Sequence, residues 1–329
     1  MLKMTMQLTV GAIETSAAVV GNNPFNAATL ADWIAFCDVK PQTQATYNKA
    51  VENFFNYLKS NDVSAPTRET VIGYRKFMTD EDNNGANAIY KPSTARVYMT
   101  VVKKFFSWLA STGKYLNVAA GVKLPEMPTD EHSRDALTLE EARATISSFT
   151  GKSEIELRDK CIMSLMIGCG LRSCEIVRLD LGDVEKRRGM WFLKIHGKKR
   201  VGKVDSVALS GALKKILDDY LAARPAGKKG SPMFISTSRR CRGARLETQT
   251  ISRLAKKTFA KIGIVSERVT CHSARHTHAT LALQAGVSLR EVSKNLRHRS
   301  TMTTEIYLHD LDKFNNRSVA TVSNLIFAA

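Results

Sequence analysis

A short stretch near the middle of the chain, LPEMPTDEHSRDA at 124–136, most constrains what this sequence can fold into. It holds two prolines and alternating charges, and its apolar residues follow no helical or strand period. Directly after it, Thr138 and Glu141 form the T-x-x-E pattern of a capping box, which indicates the start of a new helix. A chain of 329 residues is long enough for two domains that each bury a core. The sequence therefore predicts two domains joined by a linker at 123–136.

Charge is distributed unevenly between the two predicted domains. The chain has 49 Lys and Arg against 31 Asp and Glu, a formal net charge of +18 at pH 7. Residues 1–130 contain 13 basic and 11 acidic side chains, so the rest of the chain carries +16 of the total. A basic excess of this size indicates a polyanionic partner, and nucleic acid is the first candidate. A merely solvated basic surface is the alternative that charge alone leaves open.

Composition is that of a globular intracellular protein. Hydrophobic residues make up 43% of the chain and charged residues 24%, and no long apolar run offers a membrane span. The six cysteines show neither CxxC spacing nor the pattern of a secreted disulfide framework. We therefore expect reduced thiols, no membrane partner and a cytoplasmic location.

Apolar residues recur at helical spacing in three segments of the first half, 42–60, 67–79 and 93–111. We expect them to form amphipathic helices of a domain that spans 27–122 and follows a flexible extension at 1–26. The second and third segments carry the basic residues Arg75, Lys76, Arg96, Lys103 and Lys104. These side chains are candidate DNA contacts, although a solvated helix face explains them equally well.

The second domain, expected at 137–329, is predicted to be mainly helical. A buried helix is expected at 154–167 and ends at the glycines of IGCGLRS. In segment 181–209, strand-like runs alternate with glycines typical of turns, which indicates about three antiparallel strands. Later helices are expected from Ser210, a candidate N-cap, and at 248–262, 273–285, 288–297 and 300–308. The fold class is thus mainly α, with an all-helical first domain and a small antiparallel three-stranded sheet in the second.

Histidines crowd the segment CHSARHTHAT at 271–280. His272 and His276 have the four-residue spacing of two zinc ligands, but Ser273 stands where zinc proteases have Glu, and Arg275 adds a fixed positive charge. We therefore predict no metal. On a helix, His272 and Arg275 would share a face near the N-terminus, where backbone N–H groups favour an anion such as phosphate.

Four motifs in a fixed order resemble those of a known family. They are GLRSCEI with Arg172 and Glu175, HGKKR with Lys198, HSARHTHATLALQAG with an H-x-x-R box, and LRHRSTMTTEIY with His298 and Tyr307. One such motif would be weak evidence, whereas the ordered set resembles the tyrosine recombinases of the phage-integrase type over nearly the whole chain. The resemblance implies a helical SAM-like core-binding domain, a linker and a mainly helical catalytic domain with the DNA breaking-rejoining fold.

The resemblance also implies a role for each matching residue. Tyr307 would attack a DNA phosphodiester and become joined to the 3′ phosphate. Arg172 and Arg275 would hold the non-bridging oxygens of the transition state. His272 would act as general base toward the tyrosine, and His298 would donate a further hydrogen bond to the phosphate.

Supporting roles are implied for the remaining residues. Lys198 would be the general acid for the leaving 5′ oxygen, and because its hairpin is rich in lysine, Lys199 or Lys203 could serve instead. Glu175 would orient Arg172, His276 would buttress the site, and Lys199 and Arg200 would contact DNA. Since the phosphotyrosine conserves the bond energy, no cofactor is needed, and the sequence has no G-x-x-x-x-G-K-[ST] loop.

The sequence departs from the family pattern at three positions. Cys174 stands where a Ser usually precedes the Glu of the first motif, and Ala274 where a Leu often precedes the second arginine. Arg297 stands where a glycine is common before the last histidine.

The resemblance further implies double-stranded DNA with specific recombination sites as the partner, bound by a homotetramer, with accessory directionality factors. The tail at 315–327 has near-helical apolar spacing, so it is expected to pack into a neighbouring subunit, or else onto its own core. With only 1–26 ahead of the first domain, a simple Xer-like or transposon-type recombinase is favoured.

Two alternatives stay open at the level of sequence. Segment 277–297 also fits a helix-turn-helix, so a non-enzymatic DNA-binding regulator would use these histidines and arginines as DNA contacts. A type IB topoisomerase-like enzyme would use similar residues to relax supercoils within one duplex.

Overall fold

The computed structural model describes residues 23–80, 87–127, 136–196 and 205–298. The chain divides into two compact units, Met1–Glu131 and His132–Ala329. In the described residues, no helix is both long enough and apolar enough to cross a lipid bilayer.

The first unit is built from helices. The described elements are α1 (Ala27–Phe36), α2 (Pro41–Ser60), α3 (Arg68–Thr79) and α4 (Pro92–Ser111). Proline opens both long helices, where its missing N–H has no helical partner to lose. Asn26 and Thr67 cap the other two through side-chain oxygens that accept from backbone N–H groups of the first turn.

Aromatic side chains fill the core of the first unit. The rings of Trp33 and Phe105 meet edge to face at 5.3 Å between centroids, and those of Phe54 and Tyr74 at 5.0 Å. The buried Tyr74 hydroxyl donates to Oδ1 of Asn53 at 2.8 Å, so its polar end is satisfied inside the core. This packing fixes the helices of the first unit against one another.

The second unit surrounds one long helix. Its helices are α5 (Leu139–Ser147), α6 (Glu154–Cys169), α7 (Ser173–Val177), α8 (Gly211–Ala223), α9 (Thr248–Lys261), α10 (Cys271–Gln284) and α11 (Leu289–Asn295). Helix α6 is buried over most of its surface and packs against α8 on one side and α10 on another. The core of the unit is therefore assembled around α6.

A three-stranded antiparallel sheet lies beside these helices. Its strands are β1 (Val184–Arg187), β2 (Met190–Ile195) and β3 (Asp205–Leu209), in the order β1-β2-β3. The central strand pairs Leu193 with Val184 on one side and with Val207 on the other. Leu193 and Val207 are buried against the helical core, which anchors the sheet to it.

The predicted fold class is confirmed: the molecule is mainly α with a small three-stranded antiparallel sheet in the second unit. The helix predicted at 273–285 begins two residues earlier, at Cys271, because Thr270 caps it. The helix predicted at 288–297 ends at Asn295, because Arg297 adopts a left-handed conformation with φ +57°. The helix predicted at 300–308 lies outside the described residues.

Gly170 ends α6 in the left-handed conformation, with φ +63°. A Cβ at this position would lie 2.6 Å from Cδ2 of Leu296 and 2.9 Å from Cδ2 of His278, and Leu296 is completely buried. The position therefore requires glycine both for its backbone angle and for its packing.

Gly170→Ala should lower the free energy of unfolding by about 2–4 kcal/mol, the sum of left-handed strain and overpacking. Gly189→Ala is the matched control, because Gly189 has φ +82° but no atom of the described residues lies within 4 Å of the added Cβ. The control should lose only about 1 kcal/mol. Urea denaturation measures both variants, and equal losses would contradict the packing argument.

Candidate functional site

Three separate segments of the second unit meet at the end of α6. They contribute Gly170, Arg172, Glu175, Arg275, Arg297 and His298. The carbonyl of Gly170 joins all three segments, because NH1 of Arg275 donates to it at 2.5 Å and NH2 of Arg297 at 3.5 Å. Residues more than a hundred positions apart are thus brought to one place by the packing of α6, α10 and α11.

Glu175 is the carboxylate at the centre of this cluster, and its side chain is 0% exposed. Its Oε1 accepts from NH1 of Arg172 at 2.8 Å, and its Oε2 accepts from the backbone N–H of Arg172 at 2.9 Å. Arg297 donates to the same carboxylate, from NH2 to Oε2 at 2.7 Å and from Nε to Oε1 at 3.3 Å. NH1 of Arg275 lies 4.0 Å from Oε2. One buried carboxylate therefore organises three guanidinium groups.

The pKa of Glu175 reflects this environment. Burial by itself would raise the pKa, but the charge of Arg297 and its hydrogen bonds, together with the N–H group and charge of Arg172, outweigh that effect. The pKa of Glu175 is consequently lower than the ordinary value, and the side chain is ionised.

Arg172 and Arg275 differ in how many of their guanidinium N–H groups are bonded within the protein. Arg172 is the N-cap of α7, its side chain is 21% exposed, and within the described ranges its guanidinium is bonded only through NH1. Arg275 is 4% exposed, and its NH1 and NH2 donate to the carbonyls of Gly170 and Leu296. Arg172 therefore offers N–H groups to a ligand, while Arg275 contributes a fixed charge at the base of the site.

His298 lies beside these cations. Its backbone N–H donates to the carbonyl of Ser293 at 3.1 Å. Burial, followed in order by the charges of Arg275, Arg172, Arg297 and His276, lowers the pKa of the imidazole to about 4. At neutral pH the ring is therefore uncharged, with one N–H donor and one acceptor nitrogen.

The remaining histidines of α10 occupy two kinds of position. His272 and His276 are half-buried, and Nδ1 of His272 lies 3.6 Å from Sγ of Cys271. His278 is held between Nδ2 of Asn295, 2.8 Å from its Nε2, and the carbonyl of Ile167, 3.0 Å from its Nδ1. Burial lowers the pKa of His278, so it serves as a neutral packing element that fixes α11 against α6.

Sequence reasoning noted Arg297 only as a departure from glycine and missed its place in the cluster. The side chain is 7% exposed, and it bonds Glu175 as closely as Arg172 does. The available signal was an arginine at a position where the family pattern commonly has glycine, since a non-glycine residue in the left-handed region implies a compensating interaction.

The basic residues predicted as DNA contacts in the first unit bond to their own chain. Four cations of α3 and α4 donate to backbone carbonyls of 120–125: Arg68 to Ala120 at 2.5 Å, Lys103 to Val122 at 2.5 Å, Arg75 to Lys123 at 3.4 Å and Arg96 to Pro125 at 2.8 Å. Lys104 donates to the hydroxyl of Tyr47 at 3.0 Å. Lys76, also predicted to contact DNA, is half-buried on α3. These cations fasten the segment that leads toward the linker, so contact with DNA would compete with the carbonyls.

Several predicted site residues lie outside the described ranges. They are Lys198, Lys199, Lys203, Arg200, Tyr307 and the tail at 315–327.

The described residues include no group of three or more His, Cys, Asp or Glu side chains that could hold a metal ion. Three guanidinium groups against one carboxylate, with the uncharged ring of His298 beside them, leave a local charge of about +2. A site with this charge and these N–H donors is suited to bind a phosphate group.

Comparison with known sequences gives matches over most of the chain. The model of the phage integrase family matches residues 136–313. Tyrosine recombinase XerC of Chlorobaculum parvum is 27% identical over 301 residues, covering 83% of this chain and 86% of that protein. Tyrosine recombinase XerD of Proteus mirabilis is 31% identical over 225 residues, covering 67% of this chain and 69% of that protein.

Solved structures share the fold. XerH site-specific recombinase bound to a palindromic difH substrate superposes with a TM-score of 0.71 at 18% identity, covering 90% of this chain and 84% of that one. A lambda integrase tetramer bound to a Holliday junction gives a TM-score of 0.61 at 17% identity, covering 85% and 76%.

The pKa of His298 leads to a pH prediction. Because the folded pKa of about 4 lies below the ordinary 6.5, the neutral ring contributes stability that is complete above pH 6.5 and is lost as pH falls toward 4. The free energy of unfolding should therefore fall more steeply over this range in the parent chain than in His298→Asn. Urea denaturation at a series of pH values tests this, together with an NMR titration of the His298 ring. A ring that titrates near 6.5 would contradict the prediction.

Proposed function

The chain belongs to the phage integrase family and is a tyrosine recombinase, and from this premise we propose how its residues cut and rejoin double-stranded DNA. The observation that carries the proposal is the cluster at the end of α6, where Arg172, Arg275 and Arg297 surround the buried Glu175 and His298 lies beside them. Such a cluster stabilises the negative charge that develops on a phosphodiester during attack.

In the proposed reaction, the phenol oxygen of Tyr307 attacks the phosphorus of a DNA phosphodiester. The bond to the 5′ oxygen breaks, leaving a 3′-phosphotyrosine and a free 5′ hydroxyl. The phenol proton passes to His272, and the 5′ oxygen receives a proton from Lys198 or from its neighbours Lys199 and Lys203. Rejoining reverses these steps with the 5′ hydroxyl of a partner strand, and the bond energy conserved in the phosphotyrosine drives it.

The other site residues bind and orient the phosphate. Arg172 donates to one non-bridging oxygen while Glu175 holds its NH1, and Arg275 places a second charge beneath the phosphate. The neutral His298 donates a hydrogen bond to the phosphate, and His276, half-buried on α10, supports the site from its base.

The proposed partner is a duplex with specific recombination sites, acted on by four copies of the chain. Relatives support this assembly, since lambda integrase forms a tetramer on a Holliday junction and XerH binds a difH substrate. The tail at 315–327 would join neighbouring protomers, and accessory factors would set the direction of exchange. Arg75, Lys76, Arg96, Lys103, Lys104, Lys199 and Arg200 would contact phosphates of the duplex. We place this reaction in the cytoplasm, at the nucleoid.

Family membership rules out the non-enzymatic regulator. The structure adds a physical reason, because His278 in the supposed helix-turn-helix, and Arg275 earlier on the same helix α10, face the protein interior. They bond to carbonyls of the α6 end and so are not positioned to read bases.

Tyr307→Phe should abolish covalent capture of DNA, because only the phenol oxygen forms the phosphotyrosine. The protein is incubated with a pool of nicked duplexes, in which the short fragment carrying the free 5′ hydroxyl dissociates after cleavage, so that rejoining is prevented and the adduct accumulates. Denaturing electrophoresis then measures the adduct, and the captured DNA is sequenced. Tyr57→Phe, on α2, is the matched control and should keep the adduct. An adduct that persists in Tyr307→Phe would refute the assignment of the nucleophile.

The general acid can be identified with a leaving group that needs no proton. Replacing the bridging 5′ oxygen of the captured duplex by sulfur supplies such a leaving group, because a thiolate is stable without protonation at neutral pH. Of Lys198→Ala, Lys199→Ala and Lys203→Ala, the variant that loses the acid should cleave the oxygen substrate on the order of 10²-fold more slowly and the sulfur substrate at the parent rate. If every variant that cleaves the oxygen substrate slowly also cleaved the sulfur substrate slowly, none of these three lysines would be the general acid.

A further inference from the structure

Arg297 combines an unfavourable backbone with an extensively bonded side chain. Its φ of +57° lies in the left-handed region, which costs an arginine about 1–2 kcal/mol relative to the ordinary helical conformation. Glycine would adopt this angle without that cost. The side chain nevertheless is 7% exposed and bonds Glu175 through both Nε and NH2, while its NH1 donates to the carbonyl of Asn295.

The bonds of Arg297 determine how far the other guanidinium groups are needed to neutralise Glu175. A completely buried carboxylate needs a paired cation, and without Arg297 the nearest ones in the described part of the chain would be Arg172 at 2.8 Å and Arg275 at 4.0 Å. The guanidinium of Arg172 would then be drawn further toward the carboxylate and away from a bound phosphate. With Arg297 bonded to both carboxylate oxygens, Arg172 needs to commit only NH1 of its guanidinium.

We infer that Arg297 is a positioning residue for the recombination reaction: it is the counter-charge of Glu175, so Arg172 commits only NH1 to this carboxylate and keeps its other N–H groups for the scissile phosphate. The inference rests on the proposed function for its consequence in catalysis. Arg297 itself does not touch the DNA, because its N–H groups are bonded within the protein and its side chain is buried.

The pKa of the neighbouring His298 imidazole depends in part on the charge of Arg297. The cations that face His298 are Arg275, Arg172 and Arg297, with His276 as the further titratable group, and each lowers its pKa. Removing one of these charges should therefore move the titration of His298 toward higher pH, even in the absence of DNA.

The test uses the full chain and the variant Arg297→Gly, which suits the backbone angle and is expected to fold. Adduct formation on the captured nicked duplex should slow about 10- to 100-fold, the range expected when phosphate-binding groups are displaced by about 1 Å. Affinity for the duplex should stay within about twofold of the parent, because most of that affinity comes from duplex phosphates bound outside this cluster. Arg297→Lys retains the charge and should recover part of the rate. Arg290→Ala removes an exposed charge from α11 and should react at the parent rate.

A double-mutant cycle separates positioning from a general effect on folding. If Arg297 acts through Glu175, Arg297→Gly should slow the reaction less than about threefold when Glu175→Gln is already present. Rate effects that simply multiply would overturn the inference, and so would a parent rate in Arg297→Gly alone.

Two measurements on the free protein keep the inference distinct from the proposed function. Arg297→Gly should raise the NMR midpoint of His298 and weaken the binding of inorganic phosphate, whereas Arg290→Ala should change neither. If both quantities stayed at parent values in Arg297→Gly, the inference would fail whatever the DNA assays showed. If the parent chain formed no adduct but these shifts occurred, the proposed function would fail and the charge relation between Arg297 and Glu175 would stand.

Discussion

The buried carboxylate of Glu175 is the interaction on which the second unit's functional architecture depends. It ties the start of α7 to the residues that follow α11, because both Arg172 and Arg297 donate to it. A carboxylate that has lost its water must be paired to remain charged, so the fold is required to bring guanidinium groups around it. The same requirement concentrates positive charge at one place. Structural pairing and phosphate binding are therefore two consequences of one buried charge.

The glycine at the end of α6 makes this meeting possible. With φ +63° and no Cβ, Gly170 lets Leu296 and His278 approach its backbone, and its carbonyl accepts from Arg275. Helices α10 and α11 can then pack against the end of α6 closely enough for their cations to reach Glu175. The neutral His278 of α10 is bonded to Ile167 of α6 and to Asn295 of α11, and these bonds keep α10 and α11 packed closely against the end of α6. Close backbone packing thus sets the spacing of the charged groups.

Helices were predicted correctly where the signal lies in neighbouring residues, and less well where it does not. Amphipathic helices such as Pro41–Ser60 and Pro92–Ser111 follow from local spacing, and the capping box at Thr138 and Glu141 marked α5 correctly, because these signals are carried by neighbours in sequence. Helix α1 was not predicted as a separate element, since its ten residues show only a weak apolar stripe. The end of α11 was predicted two residues too late, because the left-handed turn at Arg297 is stabilised by contacts with Glu175, a residue far away in sequence.

The sequence by itself determined the fold class, the family and the order of the motifs, because helical periodicity, caps and motif spacing are properties of short segments. It also predicted Arg172, Glu175, Arg275 and His298 as residues of one site, and the structure places them close together. Only the tertiary structure decided that Arg297 joins them and that His298 is held neutral. It likewise decided that the cations of α3 and α4 bond to carbonyls of 120–125. Burial and charge pairing between distant segments exist only once the helices have packed, and no local pattern encodes them.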